Sequence, residues 1–389
     1  MTLVVVGASG EVAQAAAGLP GDVVLVRMPG APRLKGASVR EFAVDYQHGP
    51  SFRDFVDGVL RRIAPVAVLS LTELGLEPAA AAARRLGAVG VAPEAVRDTR
   101  DKVRMRRALE RTAPQLNPPF AAGDDERGLV ERVFGDGCAV VAKPAGGTGS
   151  HGVRLLREMA ELGEELRCPG VVLERYVEGR EFSVEALSSG GRHRIMGVAE
   201  KRVGPGGFVE VAHVMPPPEL EAGAEGRVVG AVEELLDAVG LADGPSHTEV
   251  KLGGDGRVTV IETHTRPGGD GIPDLVRLTT GVDWRRAALG WALGEEPRRG
   301  EPAAKAAASV FLTAPPGRVA LVHPAPAPPH VDLAAWEVYV EPGDPVQPLR
   351  SSADRLGMAL LTSGDGPAAC AAAVDGLLAR PVVVTEPEP

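Results

Sequence analysis

The chain has 389 residues, of which 44% are hydrophobic and 24% charged, with a formal net charge of −10. That balance excludes wholesale disorder, and the acidic excess argues against nucleic acid or an anionic membrane as the main partner. The length suggests two or three packed domains, and no apolar run reaches transmembrane length.

Met1–Gly10 has no basic segment ahead of its apolar run, so it reads as a first strand and not as a leader. Residues 2–8 end in a glycine turn and an alanine-rich helical pattern through Ala17. Gly7 and Gly10 do not complete a dinucleotide fingerprint, which needs a third glycine and a later acidic residue. A strand at 23–26, a helix at 52–63, a strand at 67–71, a helix at 79–86 and a strand-like Ala-Val-Gly-Val-Ala follow. This alternation predicts a small parallel α/β domain over residues 1–95.

Residues 96–112 read as one helix with Val103, Met105 and Leu109 on its apolar side and Lys102 near its start. A proline-rich loop covers 114–125, followed by a helix at 125–134 and a strand at 138–143. That strand delivers Lys143 to a glycine run: Gly146, Gly147, Gly149 and Gly152, with Thr148, Ser150 and His151 between. Successive amides freed by glycine can close on an anion as a phosphate nest. The spacing is not the P-loop, because the lysine precedes the glycines; a flexible hairpin is the plain alternative. Residues 171–187 give an apolar strand, a Glu174-x-Tyr176-Val177 run, a turn at Gly179 and an alternating strand from Glu181, which by itself is also compatible with a simple hairpin.

Further strands over 192–214 carry Lys201 and His213. A helix at 221–239 precedes two β-rich runs, 247–252 and 258–263, around Gly-Gly-Asp-Gly. Asp255-Gly256 is the favoured dipeptide of a two-residue type I′ turn. Counting outward from it sets Glu249 opposite Glu262, and His247 opposite His264 on the same face. Facing like charges destabilise a pair, and a divalent cation with oxygen ligands, magnesium above all, is an economical way to offset them; two solvated surface glutamates are the alternative. A glycine loop then leads into a helix and a second helix at 284–293. A charged, proline-rich linker is expected at 295–308, short strands with one helix at 367–378 up to Val384, and a frayed end at 385–389.

Cys138, Cys168 and Cys370 have no metal or redox spacing and suit a reducing cytoplasm. Lys35, Lys102, Lys143, Lys201, Lys251 and Lys305 are the six lysines among 42 basic residues. A chain that uses arginine for nearly every basic task keeps its lysines for roles that need a compact point charge.

Taken in order, these motifs resemble the ATP-grasp superfamily, and within it the carboxylate–amine ligases of the amino-acid (dipeptide) ligase kind. The resemblance covers roughly residues 1–380, and the tail looks like the β-rich module of biotin-carboxylase-like members. It implies an ATP-grasp fold of mixed α/β and α+β class: a parallel α/β domain at 1–95, an ATP-grasp domain at 96–295 with a lid at about 136–180, and a β-rich C-terminal module at 296–389. By the same resemblance Lys102 and Lys143 would contact ATP phosphates, and the loop Gly146–Gly152, with Gly147, Thr148, Gly149 and Ser150, would close over the transferred group. Glu174 would accept from the adenine amino group, with Tyr176 beside it. Val177 would offer backbone groups to the ring, and Glu181 would hold the ribose. Glu249 and Glu262 would bind magnesium, with manganese as the substitute ion, and Arg266 would steady the γ-phosphate. Gly268 and Gly269 would line the carboxylate site, with His213 nearby.

His264 departs from the family's Glu-x-Asn pattern, and imidazole is a poor ligand for a hard ion; it binds substrate, acts on the amine, or packs. The implied activity is ADP-forming amide synthesis from a small carboxylic acid and an amine, through an acyl phosphate. His264, His213 and Asp270 are the candidate bases. Bicarbonate activation, as in carboxylases, and a non-catalytic nucleotide-binding regulator are the alternatives. A homodimer is open by analogy.

Overall fold

The computed structural model describes every residue except 33–38, 222, 326–327 and 388–389. Lys35 and the last two residues therefore lie outside the described residues. Thr2–Val6, Asp22–Arg27, Arg40–Ala43 and Ala67–Leu69 form a four-stranded parallel sheet, with Thr2–Val6 between Asp22–Arg27 and Ala67–Leu69. Its inner strands are nearly continuous runs of valine and leucine because helices cover both faces. Arg40–Ala43, a half-buried edge strand without an apolar run, escapes sequence reading. The strand expected in Ala-Val-Gly-Val-Ala reduces to one bridge, between Ala67 and Val89.

The helix expected over 96–112 is two helices, Pro93–Arg100 and Lys102–Thr112. Asp101 separates them in extended conformation, and its carboxylate accepts from the amides of Val103 and Arg104 as an N-cap. The break matters locally. In a continuous helix the Lys102 amide would bond four residues back; here it donates to the carbonyl of Ala145, beside the glycine run (2.9 Å).

A second, antiparallel sheet orders Phe120–Ala122, Val171–Arg175, Val140–Pro144 and Arg154–Leu156. It begins earlier than the lid expected from residue 136. Val130 and Val133 of the helix Arg127–Val133 pack into its core with Leu156 and Leu173. The run 171–187 is not a hairpin: Val171–Arg175 lies in this sheet, whereas Arg180–Ser189 lies in the main one. Gly179 makes the crossing at φ +142°, where a Cβ would overlap the Leu252 carbonyl.

The main sheet has eight strands. Its order is Val258–His264, Gly244–Leu252, Arg180–Ser189, Arg192–Val203, Glu210–Met215, Ala306–Leu312, Gly357–Ser363 and Asp332–Val338. Ala306–Leu312 pairs with Glu210–Met215, so the sheet runs without a break across the boundary expected at 295/296. That strand also begins inside the expected linker, and every residue in it is buried. The helix Ile272–Thr280 and the helix Pro367–Leu378 both pack on it. The frayed end expected at 385–389 is corrected in part: Val383–Glu386 is a strand paired to Gly317–Val322.

Candidate active site

The hairpin that faces Glu249 with Glu262 forms by a different route from the one its turn residues suggest. The loop holds three residues, with Gly253 and Arg257 paired across it and Gly256 at φ +81°. Near the turn Leu252 pairs with Val258 and Val250 with Val260, one residue off the register of a two-residue turn. A β-bulge at Ile261 restores it, so Glu249 still faces Glu262 and His247 still faces His264. The two departures cancel.

Arg106 accounts for the bulge. It sits four residues after Lys102, on the same helix face, and its guanidinium is fully buried. It donates to the bulge carbonyls of Val260 and Ile261 at 2.8 and 2.9 Å, and to both oxygens of Glu174 at 2.8 and 3.0 Å. Lys143 closes the cluster, with Nζ 2.8 Å from Glu174. Burial alone would push the Glu174 carboxyl up, but Arg106 and Lys143 outweigh it and hold it at about 2. The carboxylate expected to meet an adenine amino group is thus first the counter-ion of two buried cations. Burial lowers Lys143 below the ordinary lysine value; Glu174 opposes this, and Arg106 and Lys102 add to it.

The expected residues line one cleft of about 320 Å³, except Gly146 and Gly268. Gly146 is exposed and does not line the cleft, and the Gly268 amide is taken by the buried carboxylate of Glu185 (2.9 Å). On the lid side of the cleft stand Lys143, Glu174, Tyr176 and Val177. Lys251 lies 4.9 Å over the Tyr176 ring and donates to the Val177 carbonyl at 3.1 Å. The glycine loop is fastened at three points. Lys102 Nζ donates to Gly147 O (2.7 Å), the Ser150 hydroxyl to Phe208 O (2.6 Å), and the Ser352 amide to Gly149 O (3.2 Å).

The facing glutamates do not need a metal to offset their charge. Lys201 Nζ is 2.8 Å from Glu249, and Lys102 Nζ is 2.8 Å from Glu262. His247 lies 3.3 Å from the first and His264 3.2 Å from the second. Burial would raise both carboxyls, but Lys201 keeps Glu249 at about 2 and Lys102 keeps Glu262 well below the carboxylate range. The donors still suit magnesium: two ionised carboxylates open onto the cleft from adjacent strands. Among the described residues no group of three His, Cys, Asp or Glu side chains is arranged to hold a metal. Remaining ligands would have to be phosphate or water oxygens, which is ordinary magnesium chemistry.

Glu73 and Glu185 went unseen in the sequence, as did the partners of Lys201 and His213. Glu73, from the N-terminal sheet region, holds Arg266 at 2.7 Å and lies 3.2 Å from His264, so His264 sits between two carboxylates. Glu185, fully buried, bonds His247 Nδ1 and Trp284 Nε1, both at 2.5 Å. Against burial, Glu185 and Glu249 lift His247 to about 9. Lys201 is buried among Glu181, Glu210 and Glu249 at 2.8–2.9 Å. His213 Nε2 is 3.4 Å from Asp270. The scarcity of lysine was the one usable signal, because Lys102, Lys143, Lys201 and Lys251 all gather here, whereas Lys305 is exposed.

A glycine-looped antiparallel lid facing a large antiparallel sheet, with lysines and paired carboxylates in the cleft between, defines the ATP-grasp fold. The chain overlays the crystal structure of an L-amino acid ligase from Bacillus licheniformis with a TM-score of 0.79 at 21% identity, covering 100% of this chain and 99% of that one. The chain therefore has the ATP-grasp fold, with an ATP-grasp domain match in sequence over residues 164–274 and an L-amino acid ligase C-terminal domain 2 match over residues 310–386. It is 28% identical over 290 residues to the uncharacterised protein y4rH of Sinorhizobium fredii, covering 70% of this chain and 59% of y4rH. It is 25% identical over 254 residues to alanine–anticapsin ligase of Bacillus amyloliquefaciens, covering 57% of this chain and 53% of that enzyme. The chain thus spans between half and three fifths of the length of these relatives. Among the described residues no helix is long and apolar enough to cross a membrane.

Proposed function

We propose that this protein is an ATP-dependent ligase that joins the carboxylate of one small molecule to the amine of another, with amino acids as the substrate class, and releases ADP and phosphate. The observation that carries this reading is the convergence of Lys102, Lys143, Arg266, the glycine loop and the Glu249–Glu262 pair on one cleft. The matched domains and the likeness to amino-acid ligases support it.

On this reading Lys143 and Lys102 meet the phosphates, and Lys102 exchanges its bond to Gly147 for a phosphate oxygen. Tyr176 and Val177 flank the base, and Glu181 takes the ribose hydroxyls. Glu249 and Glu262 hold magnesium or manganese, which neutralises phosphate charge when bound. A carboxylate oxygen of the first substrate attacks the γ-phosphorus, and the bond from that phosphorus to ADP breaks. Arg266, fixed by Glu73, steadies the transferred group. The loop from Gly147 to Ser150 keeps water from the acyl phosphate so formed. The amine then attacks the acyl carbon, the bond to phosphate breaks, and the amine's proton passes to a base. His213, with Asp270 behind it, and His264 are the candidates. The acidic side chains Glu210 and Asp270 in the cleft suit substrates that carry an ammonium group.

The experiment is ADP and phosphate release from ATP and magnesium with amino acids supplied singly and in pairs, and bicarbonate as a separate condition. Release that requires two amino acids, with a new amide mass, is the expected result. Release with bicarbonate alone would replace the reading by carboxylase chemistry. ADP binding with no release under any condition would favour a regulator. Whether the protein works as a homodimer is checked by light scattering on the same preparation.

A further inference from the structure

Two carboxylates reach the cleft on its C-terminal side, Glu210 and Asp270, and both need cations behind them. Lys201 serves Glu181 and Glu210 from within the main sheet. Among the described residues Asp270 has no such lysine. Its partner arrives from far along the chain: Arg355 Nη1 and Nη2 bond the two Asp270 oxygens at 2.7 and 3.0 Å. The same guanidinium donates to the Glu210 carbonyl and to Glu210 Oε2, both at 3.0 Å, and lies 3.8 Å over the Phe311 ring. Arg355 is only 8% exposed and does not line the cleft. It follows a short turn fastened on itself, in which Ser351 and Asp354 form a reciprocal cap. Ser352 of that turn lines the cleft and holds the glycine loop at Gly149.

We propose that Arg355, contributed by the C-terminal domain, is a positioning residue for the organic-substrate side of the site; this rests on the ligase reading above. Its planar fork meets both oxygens of Asp270 while also bonding Glu210, a bidentate geometry that the point charge of a lysine does not reproduce. Without it, among the described residues, Asp270 keeps His213 and Glu210 keeps Lys201 as charged partners, and the two carboxylates repel each other. The nucleotide contacts on the lid side share no atom with Arg355.

The test uses the full chain with Arg355→Met and Arg355→Lys. ADP binding in the presence of magnesium is measured by calorimetry. Phosphate release is measured at saturating ATP against the amino-acid pair that the wild type uses best. Arg355→Met is expected to bind ADP within about twofold of wild type while the KM for at least one amino acid rises about tenfold or more, with a smaller change in kcat. Arg355→Lys is expected to recover part of that loss. Unchanged amino-acid KM values in both variants, or ADP affinity and amino-acid KM worsening in step, would overturn the inference. If Arg355→Met does not fold, the same divergence between ADP affinity and amino-acid KM is read from Arg355→Lys. Wild-type protein that binds ADP but releases phosphate with no amino-acid pair would remove the ligase reading itself, and the inference with it. Wild-type release with unaltered variants removes the inference alone.

Discussion

On the lid side of the cleft, Arg106, Glu174 and Lys143 form a closed cluster whose side chains are at most 8% exposed. On the C-terminal side, Glu210 and Asp270 are 12% and 27% exposed and face the cleft from in front of Lys201 and Arg355. The first cluster has two cations for one carboxylate and suits phosphate. The second puts its carboxylates forward and its cations behind, and suits a substrate bearing an ammonium group. One cleft can therefore attract groups of opposite charge only because each is met by charges held in place by buried partners, which act at low dielectric without reorganising.

The sharpest test of that contrast removes a charge from the Glu249–Glu262 pair. Glu262→Gln should lower ATP-dependent phosphate release by at least about a hundredfold, with far-ultraviolet circular dichroism unchanged. Lys143→Ala should do the same while leaving Glu174 paired to Arg106. Near-normal release from either variant would break the site assignment. Arg106→Met should act on stability instead. It strands two bulge carbonyls and half of the Glu174 charge, so urea unfolding should show a loss of about 3–5 kcal/mol.

Glu174 also sets a pH limit on the lid side. Its folded value of about 2 lies below the ordinary 4.5, so its contribution to stability is complete above the unfolded value. That contribution is lost as pH falls from there towards 2. Urea midpoints measured across this range should decline for the wild type and decline less steeply for Glu174→Gln, which starts lower. The smallest expected effect is that of Asp101→Ala. Loss of the cap should cost about 1 kcal/mol and raise the KM for ATP modestly, because the helix break that places Lys102 is then less well defined. An ATP KM equal to wild type would show that the Ala145 carbonyl alone fixes that break.

The sequence alone determined the pieces whose cause is local. The alternation of apolar strands with helical stretches gave the parallel N-terminal sheet, the glycine run after Lys143 gave the loop, and the rarity of lysine pointed to residues that do gather at one cleft. The facing of Glu249 and Glu262 was legible too, although the turn that suggested it is longer than two residues and a bulge restores the register. Only the tertiary structure decided what stands behind those side chains. Glu73 meets Arg266, Arg106 meets Glu174 and the bulge at Ile261, and Arg355 meets Asp270, across separations of 193, 68 and 85 residues. Nothing in the local pattern marks one arginine or glutamate among so many as the partner. A buried charge is tolerated only where the fold delivers its counter-charge, and that delivery depends on strand order and helix placement rather than on neighbouring residues.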